Sequence, residues 1–177
     1  MDKMFLGGNN MSKELVAYFS RKGENYVNGA IKSLDIGNTE VAAKMIGDMT
    51  GADMFQIEPV KEYNPDYNIC IEEAKRDKGA NIRPEFKHAP DDISAYETIY
   101  LGYPNYWGTM PMHVWTFLEK YDFTGKTIKP FCTHEGSDVG SSEQDIKTLC
   151  PDAKVERPLS IHGASVNEAK DAIEKWI

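Results

Sequence analysis

Short apolar runs of strand length alternate with amphipathic stretches five times along this chain, and that alternation leaves few folds open. "ELVAYFS" (14–20), "DMFQIEPV" (53–60), "ETIYLGY" (97–103), "KTIKPFCTH" (126–134) and "KVERPLSIHG" (154–163) read as strands. They are short, mostly rich in bulky apolar residues, and several are closed by turn-prone residues. The fifth contains Pro158, which cannot donate to a strand ladder and so marks an edge or a bulge. "NTEVAAKMIGDMTG" (38–51) places Val41, Ala42, Met45, Ile46 and Met49 at helical spacing, with Gly51 as a stop. Further helices are expected after Pro65 to about Gly79, over 112–121 with Val114, Trp115, Phe117 and Leu118 inward, and over 143–149. A last helix is expected within 165–177, with Ala169, Ala172, Ile173 and Trp176 on one face. Strands and helices in strict alternation imply an α/β fold, a five-stranded parallel sheet wound on both faces. Such sheets bind ligands beyond the carboxyl ends of their strands. The loops after Ser20, Gly102 and Thr133 should therefore meet.

The 177 residues, 41% hydrophobic and 27% charged, suit one soluble domain over 14–177. Residues 1–13 read as a loose leader in which Met11 is an alternative start, without the pattern of a signal peptide. No stretch approaches the roughly 18–20 apolar residues of a membrane span. A formal net charge of -8 disfavours a nucleic-acid groove and favours a docking partner with a basic face. Cys70, Cys132 and Cys150 lack CxxC spacing, which suits reduced thiols and a cytoplasmic setting. The four histidines are scattered, so no metal site is expected.

Each of the three loops has a chemistry of its own. "GNTE" opens a helix, and free N–H groups at a helix start hold a phosphate without any lysine. Asn38 and Thr39 add side-chain donors there, although either residue can equally serve as a plain cap. Neither a Walker loop nor GxGxxG occurs. Glu40 suits the helix dipole and repels a phosphate unless it points away. In "GYPNYWGTMP" (102–111), Pro104, Gly108 and Pro111 stiffen a loop that carries Tyr106 and Trp107. Rigid aromatics at a strand end favour stacking on a planar ring, with a satellite core as the alternative. "THEGSDVGSS" (133–142) offers hydroxyls, glycines and N–H groups to the edge of the same ring. Ser137 is not set in GxSxG and has no evident triad partners, which disfavours a serine hydrolase.

"VAYFS" with "GNTE", "LGYPNYWGTMP" and "FCTHEGS" together resemble the flavodoxins, as do "YNPDYN" and "IRPEF" a bacterial branch of that family. The likeness extends over nearly the whole chain from Glu14. It implies a doubly wound five-stranded sheet in the order 2-1-3-4-5, with FMN as cofactor and electron transfer between redox partner proteins as function. Ser20 and Arg21 resemble the start of the family's compact phosphate loop, and Gly37, Asn38 and Thr39 its end. The segment 22–36 is then an insertion, with Asn25 or Tyr26 expected to fold over the cofactor. Pro104, Asn105, Tyr106, Trp107 and Gly108 should cover or border the ring; Thr133, His134, Glu135, Gly136 and Ser137 should line its other edge. Asp138 stands where related loops often carry glycine, so a positive φ is expected to be tolerated poorly there. A peptide carbonyl beside Gly108 is expected to turn toward the flavin. Two rival functions share these features: an NAD(P)H-dependent quinone reductase on the same fold, and a regulatory module that carries no redox traffic.

Overall fold

The computed structural model describes residues 13–177. Residues 1–12 of the expected leader lie outside that range. In chain order the elements are β1 (Glu14–Tyr18), β2 (Gly23–Val27), β3 (Ala30–Leu34), α1 (Asn38–Thr50), β4 (Asp53–Gln56), α2 (Tyr67–Gly79) and β5 (Thr98–Pro104). After these come α3 (Met112–Lys120), β6 (Thr127–His134), α4 (Ser142–Leu149), β7 (Lys154–Val155), β8 (Leu159–His162) and α5 (Lys170–Trp176).

The main sheet runs β4-β1-β5-β6, and β7 and β8 both pair with β6; every pairing in it is parallel. β7 and β8 are the two halves of the expected fifth strand, parted around Pro158, so the order is the expected 2-1-3-4-5. Helices cover both faces, and the strands alternate accordingly. Leu15, Ala17 and Phe19 join Val114, Phe117 and Leu118 of α3 and Ile146 of α4 in one core. Val16 and Tyr18 join Ala42, Ala43 and Ile46 of α1 and Ile173 of α5 in the other. Each such large apolar side chain contributes about 1.5–3 kcal/mol on full burial.

Two elements differ from the sequence reading. The inserted segment is a hairpin: β2 and β3 pair antiparallel, away from the main sheet, around Asn28 (φ 53°) and Gly29 (φ 87°). Those two angles are the type I′ turn that matches strand twist. The last helix is shorter than expected and follows a 3-10 segment, Gly163–Glu168. Its inward row is Val166, Ala169, Ile173 and Trp176, and Ala172, one step off that row, is exposed.

Candidate functional site

The loops after β1, β5 and β6 enclose a cavity of about 370 Å3. It lies where the strand order reverses, between β1 and β5. Ser20, Arg21, Asn38, Thr39, Pro104, Asn105, Tyr106, Trp107, Thr133, His134, Glu135 and Ser137 all line it. Gly37, Gly108 and Gly136 do not, and their place in the loops is a matter of backbone.

At one end stands the first turn of α1. Its N-cap, Gly37, makes no side-chain cap; the N–H of Glu40 instead donates to Ser20 Oγ at 3.1 Å. A Cβ on Gly37 would lie 2.2 Å from Ser20 Oγ and 2.6 Å from Arg21 O, so glycine is what lets the two ends of the insertion close together. The N–H groups of Asn38 and Thr39 precede the first intrahelical bond and find no acceptor among the described residues. Neither residue is a cap. Thr39 Oγ1 instead lies 2.7 Å from Thr133 Oγ1, both buried, which ties the first loop to the third. Glu40 turns along the helix to Lys44 at 3.3 Å and does not face the cavity.

The aromatic end is a tight turn. Tyr106 and Thr109 bridge, and Trp107 (φ 56°) and Gly108 (φ 87°) between them take type I′ angles. Tyr106 is half-buried against Phe19 and Tyr63, and burial pushes its phenol pKa up. Trp107 is 42% exposed. Its Nε1–H donates to Ile71 O at 2.8 Å, Lys75 Nζ sits 5.1 Å from its ring centroid, and Lys78 Nζ donates to its carbonyl. Gly108 O accepts from the Ser141 N–H at 2.7 Å. The carbonyls on either side of Gly108, those of Trp107 and Gly108, thus both accept hydrogen bonds, from Lys78 and from Ser141.

The third loop touches both ends. Asn105 N–H donates to Thr133 O (2.9 Å) and Asn105 Nδ2 to Asp138 O (2.7 Å), while Thr133 meets Thr39. His134 Nδ1 accepts from the Gly136 N–H at 2.9 Å, so the neutral ring carries its proton on Nε2, 2.8 Å from Ser160 Oγ. Burial holds its pKa below the ordinary value. Asp138 does adopt a positive φ, 56°, with its carboxylate accepting from the Val139 N–H. Glu135 Oε2 accepts from the Asn28 N–H (3.1 Å) and lies 3.4 Å from His162 Nε2.

The hairpin and α2 supply walls that the sequence did not fully reveal. Asn25 and Tyr26, expected over the site, line the cavity, as do Tyr67, Cys70, Ile71, Ala74 and Gly163, which were not foreseen. Tyr26 stacks on Tyr67 with centroids 6.3 Å apart, and Glu24 Oε2 accepts from the Tyr67 N–H at 2.7 Å. Arg21 fixes the base: Nε donates to Glu24 O, and Nη2 to Asn64 O and Pro65 O, each at 3.0 Å. Cys70 and Ala74 are the buried residues of α2, and both face the cavity. Their i, i+4 spacing was the available signal, blurred by Tyr67, Ile69 and Ile71 on the same helix.

Residues 13–177 match the family profile described as flavodoxin. Among solved structures, a flavoprotein candidate from Bacteroides uniformis is 28% identical, with 92% of this chain and 97% of that one covered at a TM-score of 0.71. A second, from Bacteroides eggerthii, is 30% identical over 92% and 98% of the two chains, at 0.67. A flavoprotein from Lactobacillus acidophilus, solved in complex with FMN, shares the fold at 16% identity, 88% and 97% coverage and a TM-score of 0.61. No curated protein matches significantly. With its family profile matched along the entire described chain, and with the sheet order and site position that the fold requires, this protein belongs to the flavodoxin family.

Proposed function

We propose that the protein binds FMN and carries electrons between partner proteins. One observation carries the reading: a single cavity has unbonded helix N–H groups at one end and a rigid aromatic turn at the other. The volume lies within the roughly 300–1,000 Å3 of small-molecule sites. The amides of Asn38 and Thr39, with Ser20, would hold the phosphate through fixed dipoles. Tyr106 and Trp107 would border the ring, while Tyr26 and Tyr67 close the cavity over it. Pro104, Asn105, Gly108 and the 133–137 loop shape the remaining edge. Bound FMN supplies the redox chemistry; these residues orient it and exclude water. The Lactobacillus acidophilus protein's complex with FMN supports the choice of cofactor.

The net charge of -8 supports a redox partner with a basic docking face. Lys75 and Lys78 make the rim beside Trp107 locally positive, so that partner would approach from the other sides of the opening. Three free, buried cysteines suit a reducing cytoplasm. None of the described helices is long and apolar enough to cross a membrane.

The purified protein should be yellow or become so with FMN, and dithionite should reduce it in two resolved one-electron stages. Direct two-electron bleaching with brisk NAD(P)H turnover on a quinone would make it a reductase instead. A protein that takes up no flavin at all would leave the regulatory reading.

A further inference from the structure

Resting on the FMN reading, we propose that Arg21 is no phosphate ligand but faces the flavin ring, where its charge stabilises the anion that reduction creates. It keeps the bound cofactor easy to reduce within an otherwise acidic protein.

Arg21 is the only Lys or Arg that lines the cavity, in a chain of net charge -8. Its three guanidinium bonds go to neutral carbonyls, those of Glu24, Asn64 and Pro65, and no carboxylate pairs with it among the described residues. Nη1 bonds to none of the described residues, which leaves its two donors for a ligand. Glu135 is the one Asp or Glu lining the cavity; its Oε1 is fully buried and its Oε2 accepts from the Asn28 N–H. A guanidinium held by carbonyls alone keeps its whole charge for an anion at the site.

FMN offers that charge two partners, the phosphate and the reduced ring, and the course of the side chain decides between them. The backbone of Arg21 stands at the phosphate end: a Cβ on Gly37, just before α1, would lie 2.6 Å from Arg21 O. From there the side chain runs to Asn64 and Pro65, on the chain entering α2. α2 then supplies Tyr67 and Cys70 to the cavity wall, with Tyr106 on the aromatic turn. Burial raises the pKa of all three, and the Arg21 charge works against each rise, so it lies within electrostatic reach of that corner. The phosphate end already has the free N–H groups of Asn38 and Thr39.

Two electrons and one proton taken up by the neutral oxidised ring leave one negative charge on it. A fixed cation beside the ring therefore favours the reduced form over the oxidised one. Arginine does not lose its proton in a protein, so the effect holds at every working pH.

The test titrates oxidised and, under anaerobic conditions, reduced FMN and riboflavin onto the parent, Arg21→Lys and Arg21→Gln. The midpoint potential of each bound flavin is read against a reference dye. In Arg21→Gln both reduced flavins should weaken about tenfold more than their oxidised forms, a two-electron midpoint lowered by about 30 mV. Arg21→Lys, which keeps the charge and loses the fork to Asn64 and Pro65, should retain most of the parent's potential. The preference for FMN over riboflavin should be the same in all three proteins. Equal weakening of oxidised and reduced forms would reduce Arg21 to a tether of the hairpin base, and a loss confined to FMN would make it a phosphate ligand. Either result would overturn the proposal with the FMN reading intact. The parent gives a second reading that needs no variant: bound riboflavin should have a potential at or above that of free riboflavin, and a lower one overturns the proposal. A parent that binds no flavin would overturn both.

Discussion

Trp107 holds a backbone angle that its side chain would not choose. At φ 56° a bulky residue sits in the left-handed region, a cost of roughly 1–2 kcal/mol. The Nε1–Ile71 bond and the Lys75 contact offset about as much. Trp107→Asn places there a residue that the type I′ turn accepts, so stability should shift by less than about 1 kcal/mol. Flavin affinity should instead fall about five- to hundredfold if base-like stacking, about 1–3 kcal/mol per ring, is lost. Thermal melts and flavin titrations on the same samples check this; a large drop in melting temperature with unaltered affinity would mark Trp107 as a structural clamp. A second residue-scale test concerns Thr39 and Thr133, whose hydroxyls meet at 2.7 Å in a buried setting. Changing either alone to valine should cost about 1–3 kcal/mol by stranding its partner, and changing both should cost less than the sum. Additive losses in urea melts would show that the hydroxyls bond elsewhere.

The inserted hairpin is an element added to the fold rather than built into it. It forms its own two-stranded sheet, β3 is largely exposed, and the chain ends that flank it lie together where Gly37 meets Ser20 and Arg21. Replacing 22–36 by a single glycine should therefore leave the folded core, with a loss of no more than roughly 2 kcal/mol, or about 4–8 °C in melting temperature. Flavin should dissociate faster from that variant in stopped-flow dilution, and an unchanged rate would deny the hairpin any part in retention. The main sheet was legible because a strand covered on both faces reads as a continuous apolar run, as in "ELVAYFS", and because Pro158 marked the break in the fifth strand. The hairpin was harder to see, since its side chains are polar and exposed, although Asn28-Gly29 between Val27 and Ala30 is a strong local turn signal. The α2 wall was hidden for a related reason. Cys70 and Ala74 face a cavity rather than a core, so the helix lacks a broad apolar stripe. The capping question at "GNTE" needed three dimensions, because the capping oxygen belongs to Ser20, twenty residues away.

At the scale of the whole molecule, folding places an imidazole where protonation is costly. His113 is 1% exposed at the start of α3, against Phe19 (5.3 Å) and Tyr63 (5.4 Å), and neither ring nitrogen has a partner among the described residues. Burial lowers its pKa to about 4, and the nearby Asp77 carboxylate opposes that shift without reversing it. In the unfolded chain a histidine titrates near about 6.5. Between those values the unfolded state binds a proton that the folded state refuses. The contribution to stability is thus fully present above about pH 6.5, falls as the pH drops, and levels off below about pH 4. Across the full window it amounts to roughly 3 kcal/mol, and between pH 7 and 5 to about 2 kcal/mol. His134, also held below its ordinary value by burial, adds to the loss with the same sign. Carboxylates titrate in the same range but are common to parent and variant, so a difference isolates the imidazole. His113→Phe keeps an aromatic ring against Phe19 and Tyr63 and removes the titration. Urea unfolding at pH 7 and pH 5 should show the parent losing about 2 kcal/mol more than His113→Phe over that interval. Two parallel pH profiles would mean that the ring is protonated in the fold as readily as outside it, and that the acid sensitivity of this protein lies elsewhere.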